Sequence, residues 1–407
     1  MNWFIITAAY PPDEGGIADH TVALARELAA RGDRVWIIAG SGPDGGGLGG
    51  QAVKVRRFPG HFGLRAIFLM SRELLRVPKP RQVVIQYVPQ AFGPRVRADG
   101  RRMRGLPLSV CLWLQFLRGK VWTMFHEIVA LPGTGRSLAM RLVVRTTYWM
   151  LRLVVRKSSR IFVAAPVWAD VIREVTRTMR LVEWLPVPSN LPTQVDSLRV
   201  EKVRRILLGE DAITLIGHFG TLRGVVTEIL RPVVHRLLDG RPERRFVAIG
   251  SGSSAFAAEC RALWPGLAAR ILATGNLPPE QAAEHLAACD VMIEPYPDGV
   301  SSRRSSTMGP LALGCVVVTN DGPWTEPAWR ESGAVVLAAS PDPVLLSEKV
   351  EDVLRTRPKL GERAARFYDA EFSLRHMVAV MTGAEAAATV PAERLADIGA
   401  QLNWVKS

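Results

Sequence analysis

The first forty residues alternate in a way that few folds accommodate. An apolar run, Trp3 to Ala9, is followed by the turn-rich segment Tyr10 to Gly16. His20 to Arg31 then carries apolar residues at helical spacing (Val22, Leu24, Ala25, Leu28), and Gly32 stands where a helix would stop. A second apolar run, Val35 to Ala39, follows. Strand, glycine turn, helix, strand is a βαβ unit, and such units imply a parallel sheet whose strands are buried on both faces.

The pattern continues and then restarts. Apolar runs at Val53–Phe58, Val83–Tyr87, Val121–Phe125 and Ile161–Ala164 read as strands, with a long helix near Ser137–Arg156. The run LPVPSNLP (185–192) reads as a linker. Beyond it come strands at Ile213–Phe219, Arg245–Ile249, Ile271–Ala273, Val291–Glu294 and Val316–Thr319. Helices are expected at Val225–Asp239, Pro279–Ala288 and Ser305–Leu313. The expected organisation is an N-terminal Rossmann-like domain over 1–187, a linker at 188–193, a second Rossmann-like domain over 194–365, and a C-terminal helix and tail over 366–407 that return toward the first. The Gly-rich stretch 45–50 reads as a surface connection, because it does not open a helix after a strand.

Charge narrows the partners. The chain of 407 residues carries a net charge of +14. Between Arg95 and Arg160 stand 14 Arg or Lys residues and two acids, Asp99 and Glu127, so one internal stretch holds nearly the whole excess. Trp113, Phe116, Trp122, Tyr148 and Trp149 lie among these cations, a texture suited to an anionic membrane surface. No nucleic-acid motif is present, so nucleic acid is not expected as a partner. The four cysteines, Cys111, Cys260, Cys289 and Cys315, are widely spaced and read as buried thiols, with no metal expected. The opening MNWFIITAAYPP lacks a basic n-region, and no apolar run reaches the length of a membrane span. A cytoplasmic protein, peripheral at the inner face of the membrane, is the expectation.

Chemistry-bearing residues cluster where strands would end. Gly15 and Gly16 follow the first strand, and His126 and Glu127 follow Val121–Phe125. The segment GHFGTLRG places Gly220, Thr221 and Arg223 in a turn before a helix, where an arginine and backbone N–H groups can hold phosphate. The segment PYPDGVSSRRSST (295–307) sets Ser302, Ser305 and Ser306 around Arg303 and Arg304 at an expected helix start, a composition suited to a diphosphate.

The opening YPPDEGGIADHTVALARELAARGDRV (10–35) resembles the start of family 4 glycosyltransferases of the GT-B fold. FGTLRG, FVAIGSG (246–252), ATGNLPPEQAAEHLAACDVMIEPYPDG (273–299) and ALGCVVVTNDG (312–322) are similar to that family's second half. The resemblance implies two Rossmann-like α/β domains, with parallel sheets facing a central cleft. It implies retaining transfer of a sugar from a nucleotide-diphosphate sugar to an acceptor hydroxyl, with no bound cofactor or metal. Gly15 and Gly16 match the family's glycine loop, and His126 matches the histidine beside the transferred sugar. Gly250 and the turn Gly275, Asn276, Leu277 match backbone contacts to the nucleotide. Two departures stand out: no Lys follows Arg223, and 298–314 holds no Glu where the family has a spaced glutamate pair. Arg223, Arg303 and Arg304 are expected to supply the missing positive charge, and Asp298 or Glu294 to meet the sugar hydroxyls. The acceptor is expected to be lipid-linked or membrane-proximal. The alternative is a catalytically inactive nucleotide-sugar-binding protein of the same fold.

Overall fold

The structure is a computed structural model and describes residues 1–13, 16–40, 52–58, 62–89, 95–98, 101–104, 108–128, 138–356, 359–385 and 388–389. Gly15 and the Gly-rich stretch 45–50 lie outside the described residues. The chain divides into two compact units, Met1–Pro186 with Met377–Ser407, and Val187–His376.

Unit 1 is built on strands β1 (Asn2–Ile6), β2 (Arg34–Ala39), β3 (Val53–Arg57), β4 (Arg81–Tyr87), β7 (Val121–Phe125), β8 (Ser158–Val163) and β9 (Val182–Trp184). They run parallel in the order β9-β8-β7-β4-β1-β2-β3, with β16 (Ala388–Thr389) antiparallel against β9. Phe4, Ile5, Ile37, Ile38, Val84 and Ile85 have no exposed surface, as strands covered on both faces require. Helix α1 (Gly16–Ala30) ends where Gly32, at φ +87°, takes a left-handed conformation. The Gly32 N–H then bonds the Ala29 carbonyl and the Asp33 N–H that of Leu28, the paired bonds of a Schellman close. The remaining helices are α2 (Leu64–Arg76), α3 (Leu108–Phe116), α4 (Leu138–Lys157) and α5 (Val167–Thr176). A short antiparallel hairpin, β5 (Arg95–Ala98) and β6 (Arg101–Arg104), pairs with neither large sheet. Sequence periodicity does not reveal it, because five of its eight strand residues are arginine.

Unit 2 has a six-stranded parallel sheet of β10 (Thr214–Phe219), β11 (Arg244–Ile249), β12 (Ile271–Ala273), β13 (Val291–Glu294), β14 (Val317–Asn320) and β15 (Val336–Ala338), in the order β12-β11-β10-β13-β14-β15. Its helices are α6 (Ser197–Leu208), α7 (Val225–Leu238), α8 (Ser253–Leu263), α9 (Pro279–Ala287), α10 (Ser305–Ala312), α11 (Pro327–Ser332), α12 (Pro343–Thr356) and α13 (Gly361–Glu371). Ile216, Phe246, Ile293, Leu230, Val234 and Leu346 form the centre of one core between sheet and helices. The proline-rich run expected to be a linker is tied to this unit: the Val187 N–H bonds the Ser302 carbonyl and the Ser189 N–H bonds the Tyr368 hydroxyl.

The chain returns to unit 1 within α14 (Leu374–Thr382). Arg160 of β8 fastens it there. Its guanidinium forks onto Glu183 of β9, donates to the Met381 and Val380 carbonyls, and lies over the rings of Trp122 and Phe162. Removing the cation strands the buried Glu183 carboxylate, a loss of about 3–5 kcal/mol for such pairs. Arg160→Ala therefore lowers the unfolding free energy by that order, read as a lower denaturant midpoint, and raises hydrogen exchange in 374–382 before the rest of the chain, measurable by exchange mass spectrometry.

Candidate active site

In an open parallel sheet, ligands bind at the carboxyl ends of strands where the strand order reverses. In unit 1 that point lies between β1 and β4, and in unit 2 between β10 and β13. The candidate residues of each unit gather there.

In unit 1, Gly16 opens α1 and is exposed, and a Cβ added to it would meet nothing within 4 Å. One turn on, His20 lies on the same helix face. Its ring meets that of His126 edge-on at 4.7 Å. His126 leaves the end of β7, its Nε2 donating to Oε1 of Gln86 at 2.5 Å, which leaves Nδ1 as the acceptor. Burial drives the pKa of His20 down to about 4. Burial, and then the neighbouring His20, hold His126 well below the usual histidine range. Two neutral imidazoles result. Neither ring nitrogen of His20 has a hydrogen-bond partner among the described residues. Glu127 follows, exposed. The pairing of His20 with His126 is not visible in sequence. Its one available sign was the four-residue step from Gly16 to His20.

In unit 2, three loops close on one another. The Gly220 N–H bonds the Ile249 carbonyl, the Leu222 N–H that of Ser251, and the Gly250 N–H that of Gly275. Gly250, at φ +113°, packs so closely on Gly220 that a Cβ would overlap the Gly220 carbonyl oxygen, and a Cβ on Gly252 would stand 2.5 Å from that of Leu222. Only glycine fits both the conformation and the approach. The Gly275 N–H is held by Ser253 Oγ, and Asn276 and Leu277 follow it, Asn276 exposed. Thr221 and Arg223 are exposed, and Arg223 makes no ion pair or hydrogen bond with the described residues. Across the switch point, α10 begins without a side-chain cap; the Thr307 N–H turns back on the Arg304 carbonyl, which leaves those of Ser305 and Ser306 to meet an anion. Ser305 and Ser306 stand in that first turn, and Ser306 is 3.3 Å from where a Gly220 Cβ would be. The loop after β10 and the start of α10 thus form one surface.

The charged residues are placed differently from expectation. Asp298 is closed from solvent, and both its oxygens are taken, one by Arg303 at 2.8 Å and the other by Arg304. The guanidinium groups also lie on aromatic rings, Arg303 on Trp324 at 4.2 Å and Arg304 on Tyr296 at 4.6 Å. The two arginines are therefore one half-buried cluster with a net single positive charge. Asp298 serves that cluster rather than facing a sugar. Glu294 also has no exposed surface: it accepts from the Phe219 N–H at 2.8 Å and meets the Tyr296 hydroxyl at 3.2 Å. Burial raises its pKa well above the usual carboxylate range. His218, 3.6 Å away, is pushed by burial down to about 4 and donates from Nδ1 to the Ile293 carbonyl. The contact joins two neutral groups and is no ion pair.

Ser302 is bound through its N–H and Oγ to Glu326, which burial raises to about 7 and which also accepts from Trp329 Nε1 at 2.8 Å. Glu326 was not singled out in the sequence, where it lies beyond the polar segment. Cys111, Cys260 and Cys315 are buried and Cys289 is half-buried, and burial pushes the Cys111 and Cys315 thiols up to about 12. Among the described residues no group of acids, histidines and cysteines could hold a metal, and no helix is long and apolar enough to cross a membrane. An open depression of about 500 Å³ beside Thr214, Arg244, Asp290 and Glu351 lies at the opposite, amino ends of the strands, and Arg244, Asp290 and Glu351 are each in an ion pair.

Residues 15–188 match the glycosyl transferase 4-like domain family. No curated protein matches the sequence. Among solved structures, the chain is similar to Anabaena HepE in complex with UDP, at 13% identity and a TM-score of 0.67 over 95% of this chain and 100% of that one. It is similar to a glycosyltransferase from Rickettsia africae, at 15% identity and a TM-score of 0.67 over 94% and 97%. Sucrose-phosphate synthase from Thermosynechococcus elongatus is similar at 14% identity and a TM-score of 0.65, over 94% and 98%. At these identities the likeness is one of fold. The chain has the two-sheet α/β architecture of the GT-B glycosyltransferases.

The imidazole of His20 has a checkable consequence. Its folded pKa lies below the unfolded value, so the stability tied to its neutral form is complete above about pH 6.5 and is lost as pH falls toward 4. One such group contributes a slope of up to about 1.4 kcal/mol per pH unit in that window. His20→Leu, which also removes two unpartnered buried nitrogens, should flatten the acid limb of a Tm-against-pH curve without lowering Tm at pH 7.

Proposed function

We propose that the protein is a retaining glycosyltransferase that moves a sugar from a nucleotide-diphosphate sugar to an acceptor hydroxyl. The observation that carries the reading is the unit 2 surface. Three glycine-tightened loops meet an uncapped helix start at the strand-order switch, with an exposed and unpaired Arg223 beside it. Such a surface suits a diphosphate, because backbone N–H groups, a helix terminus and a guanidinium are all donors of positive potential. HepE was crystallised with UDP-glucose, which makes uridine donors the first to test.

The difficult event is departure of the nucleoside diphosphate. The bond between the anomeric carbon and the diphosphate oxygen breaks as the acceptor oxygen bonds the same carbon on the same face. The acceptor proton passes to the departing phosphate oxygen. Arg223 and the first N–H groups of α10 stabilise the charge that collects on the leaving group, and the Asp298–Arg303–Arg304 cluster adds one net positive charge nearby. In unit 1, Gly16 leaves room at a helix start, and the neutral His126 offers Nδ1 to a sugar hydroxyl. Glu127, exposed beside it, is available to an acceptor. The acceptor is lipid-linked or held at a membrane surface. The burial of Glu294 and Asp298 favours, as a second reading, a protein that binds nucleotide sugars without turning them over.

A panel of nucleotide sugars separates these readings. A true donor raises Tm, because it binds only the folded chain, and releases nucleoside diphosphate when an acceptor is supplied. Arg223→Ala keeps the wild-type Tm without ligand and lowers kcat/KM for the donor by about 10²-fold, the usual loss for one charge-stabilising donor. Binding without any turnover would favour the second reading. If no nucleotide sugar shifts Tm, both are wrong.

A further inference from the structure

The helices on one face of the unit 1 sheet leave a surface that sugar transfer does not explain. The crossover through α1 steps from β1 toward β2, whereas those through α2, α4 and α5 step toward β4, β8 and β9. Right-handed crossovers therefore put α2, α4 and α5 on the face opposite α1. They form one layer with α3, in which α2 packs on α3, α3 on α4 and α4 on α5. The joints include polar contacts: Trp113 Nε1 donates to Ser71 Oγ, Gln115 Nε2 to the Leu153 carbonyl, and Arg152 Nε to the Val175 carbonyl.

The outer side of this layer mixes large apolar residues with cations. On α2, Arg65, Phe68, Arg72, Leu75 and Arg76 are exposed and spaced three or four apart, so they share one face. Phe68 is 69% exposed and Leu75 78%. On α3, Phe116 is 82% exposed, with Arg118 and Lys120 just beyond. On α4, the exposed residues Arg141, Arg145, Trp149, Arg152 and Arg156 again share one face. Across the three helices the only acid is Glu73, which is bound to Arg76 and Arg56. Single exposed apolar residues are ordinary, but three adjacent helices each presenting aromatic or aliphatic side chains within a field of cations that holds one acid are not.

We propose that the outer face of α2, α3 and α4 docks on an anionic lipid bilayer, with Phe68, Leu75, Phe116 and Trp149 entering the headgroup layer and the surrounding arginines lying on lipid phosphates. The two features require different things of a partner. Exposed rings need an apolar environment at shallow depth, and a field of cations needs many phosphates in a plane. A bilayer interface offers both, whereas a duplex offers phosphates without an apolar layer. Each cation near such a surface contributes about 1 kcal/mol, and the contribution weakens when salt shortens the Debye length. The inference does not depend on sugar transfer, since a chain that rejects every nucleotide sugar can still bind vesicles.

The test uses the full chain and vesicles of phosphatidylcholine, alone or with phosphatidylglycerol. At about 0.1 M salt the protein should sediment with the anionic vesicles and stay in solution with the neutral ones. At about 1 M salt, where the Debye length falls to about 3 Å, it should be released. Arg72→Ala and Arg145→Ala should each lower the partition coefficient about fivefold, the equivalent of about 1 kcal/mol per cation. Phe68→Ser with Phe116→Ser should lower it further. These are surface changes, so Tm should not move. Brominated-chain lipids should quench part of the tryptophan fluorescence, and Trp149→Phe should remove that part. Equal binding to neutral and anionic vesicles, or variants that bind as the wild type does, would overturn the proposal. So would capture by duplex DNA without vesicle binding. Self-association abolished by the same variants, again without vesicle binding, would assign the face to a second copy of the chain instead.

Discussion

The closeness of Gly250 to the Gly220 carbonyl sets the geometry of unit 2. Parallel strands hand their chain onward only at the carboxyl edge, so the loops after β10, β11 and β12 must share that edge. Each loop bonds the next through its backbone, and a side chain at Gly250 or Gly252 would force them apart. Tight loops leave α10 and the Arg223 turn as neighbours, which makes the proposed donor surface out of segments over eighty residues apart in sequence. A fold with looser turns would have the same sheet and no such surface.

The second constraint is charge neutrality in the interior. His20, His126 and His218 are all driven neutral by burial, and Glu294 and Glu326 are driven toward the protonated state. Asp298, like Glu183, is a buried acid matched by guanidinium groups instead. Polar groups near the two switch points therefore act as hydrogen-bonding partners of defined shape. Ionic work is left to the rim, where Arg223 and the helix start stand. Electrostatic stabilisation of a departing diphosphate asks for that division, because a cation already neutralised inside the protein cannot respond to charge that develops outside it.

Much of this was legible in the sequence, for physical reasons. Strands covered on both faces appear as unbroken apolar runs, which is why Val83–Tyr87, Val121–Phe125 and Val291–Glu294 fall where β4, β7 and β13 do. Glycines at Gly220, Gly250 and Gly275 stand out because backbone conformation demands them locally. Pairings across loops left no such mark. Asp298, Arg303 and Arg304 lie within seven residues, yet nothing in their spacing says that the loop folds both guanidiniums onto one carboxylate. Ser302 meets Glu326 from twenty-four residues away. His20, on the helix that follows β1, and His126, at the end of β7, come together because β1 and β7 flank β4, a fact of sheet order.

The chain's excess of positive charge is also divided in a way that composition conceals. In unit 2, Arg204, Arg244 and Arg330 are each matched to a carboxylate, on Asp290, Glu351 and Asp321. On the outer face of α2 to α4, Arg65, Arg72, Arg118 and Arg145 have no ion-pair partner among the described residues. If the excess charge served only to hold a diphosphate, it would concentrate at the β10–β13 switch point, where Arg223 and the Asp298–Arg303–Arg304 cluster stand. A field of like charges spread over three helices destabilises the fold by self-repulsion unless something outside the chain answers it. The exposed rings among those charges fit the proposed partner, a surface with an anionic plane above an apolar layer.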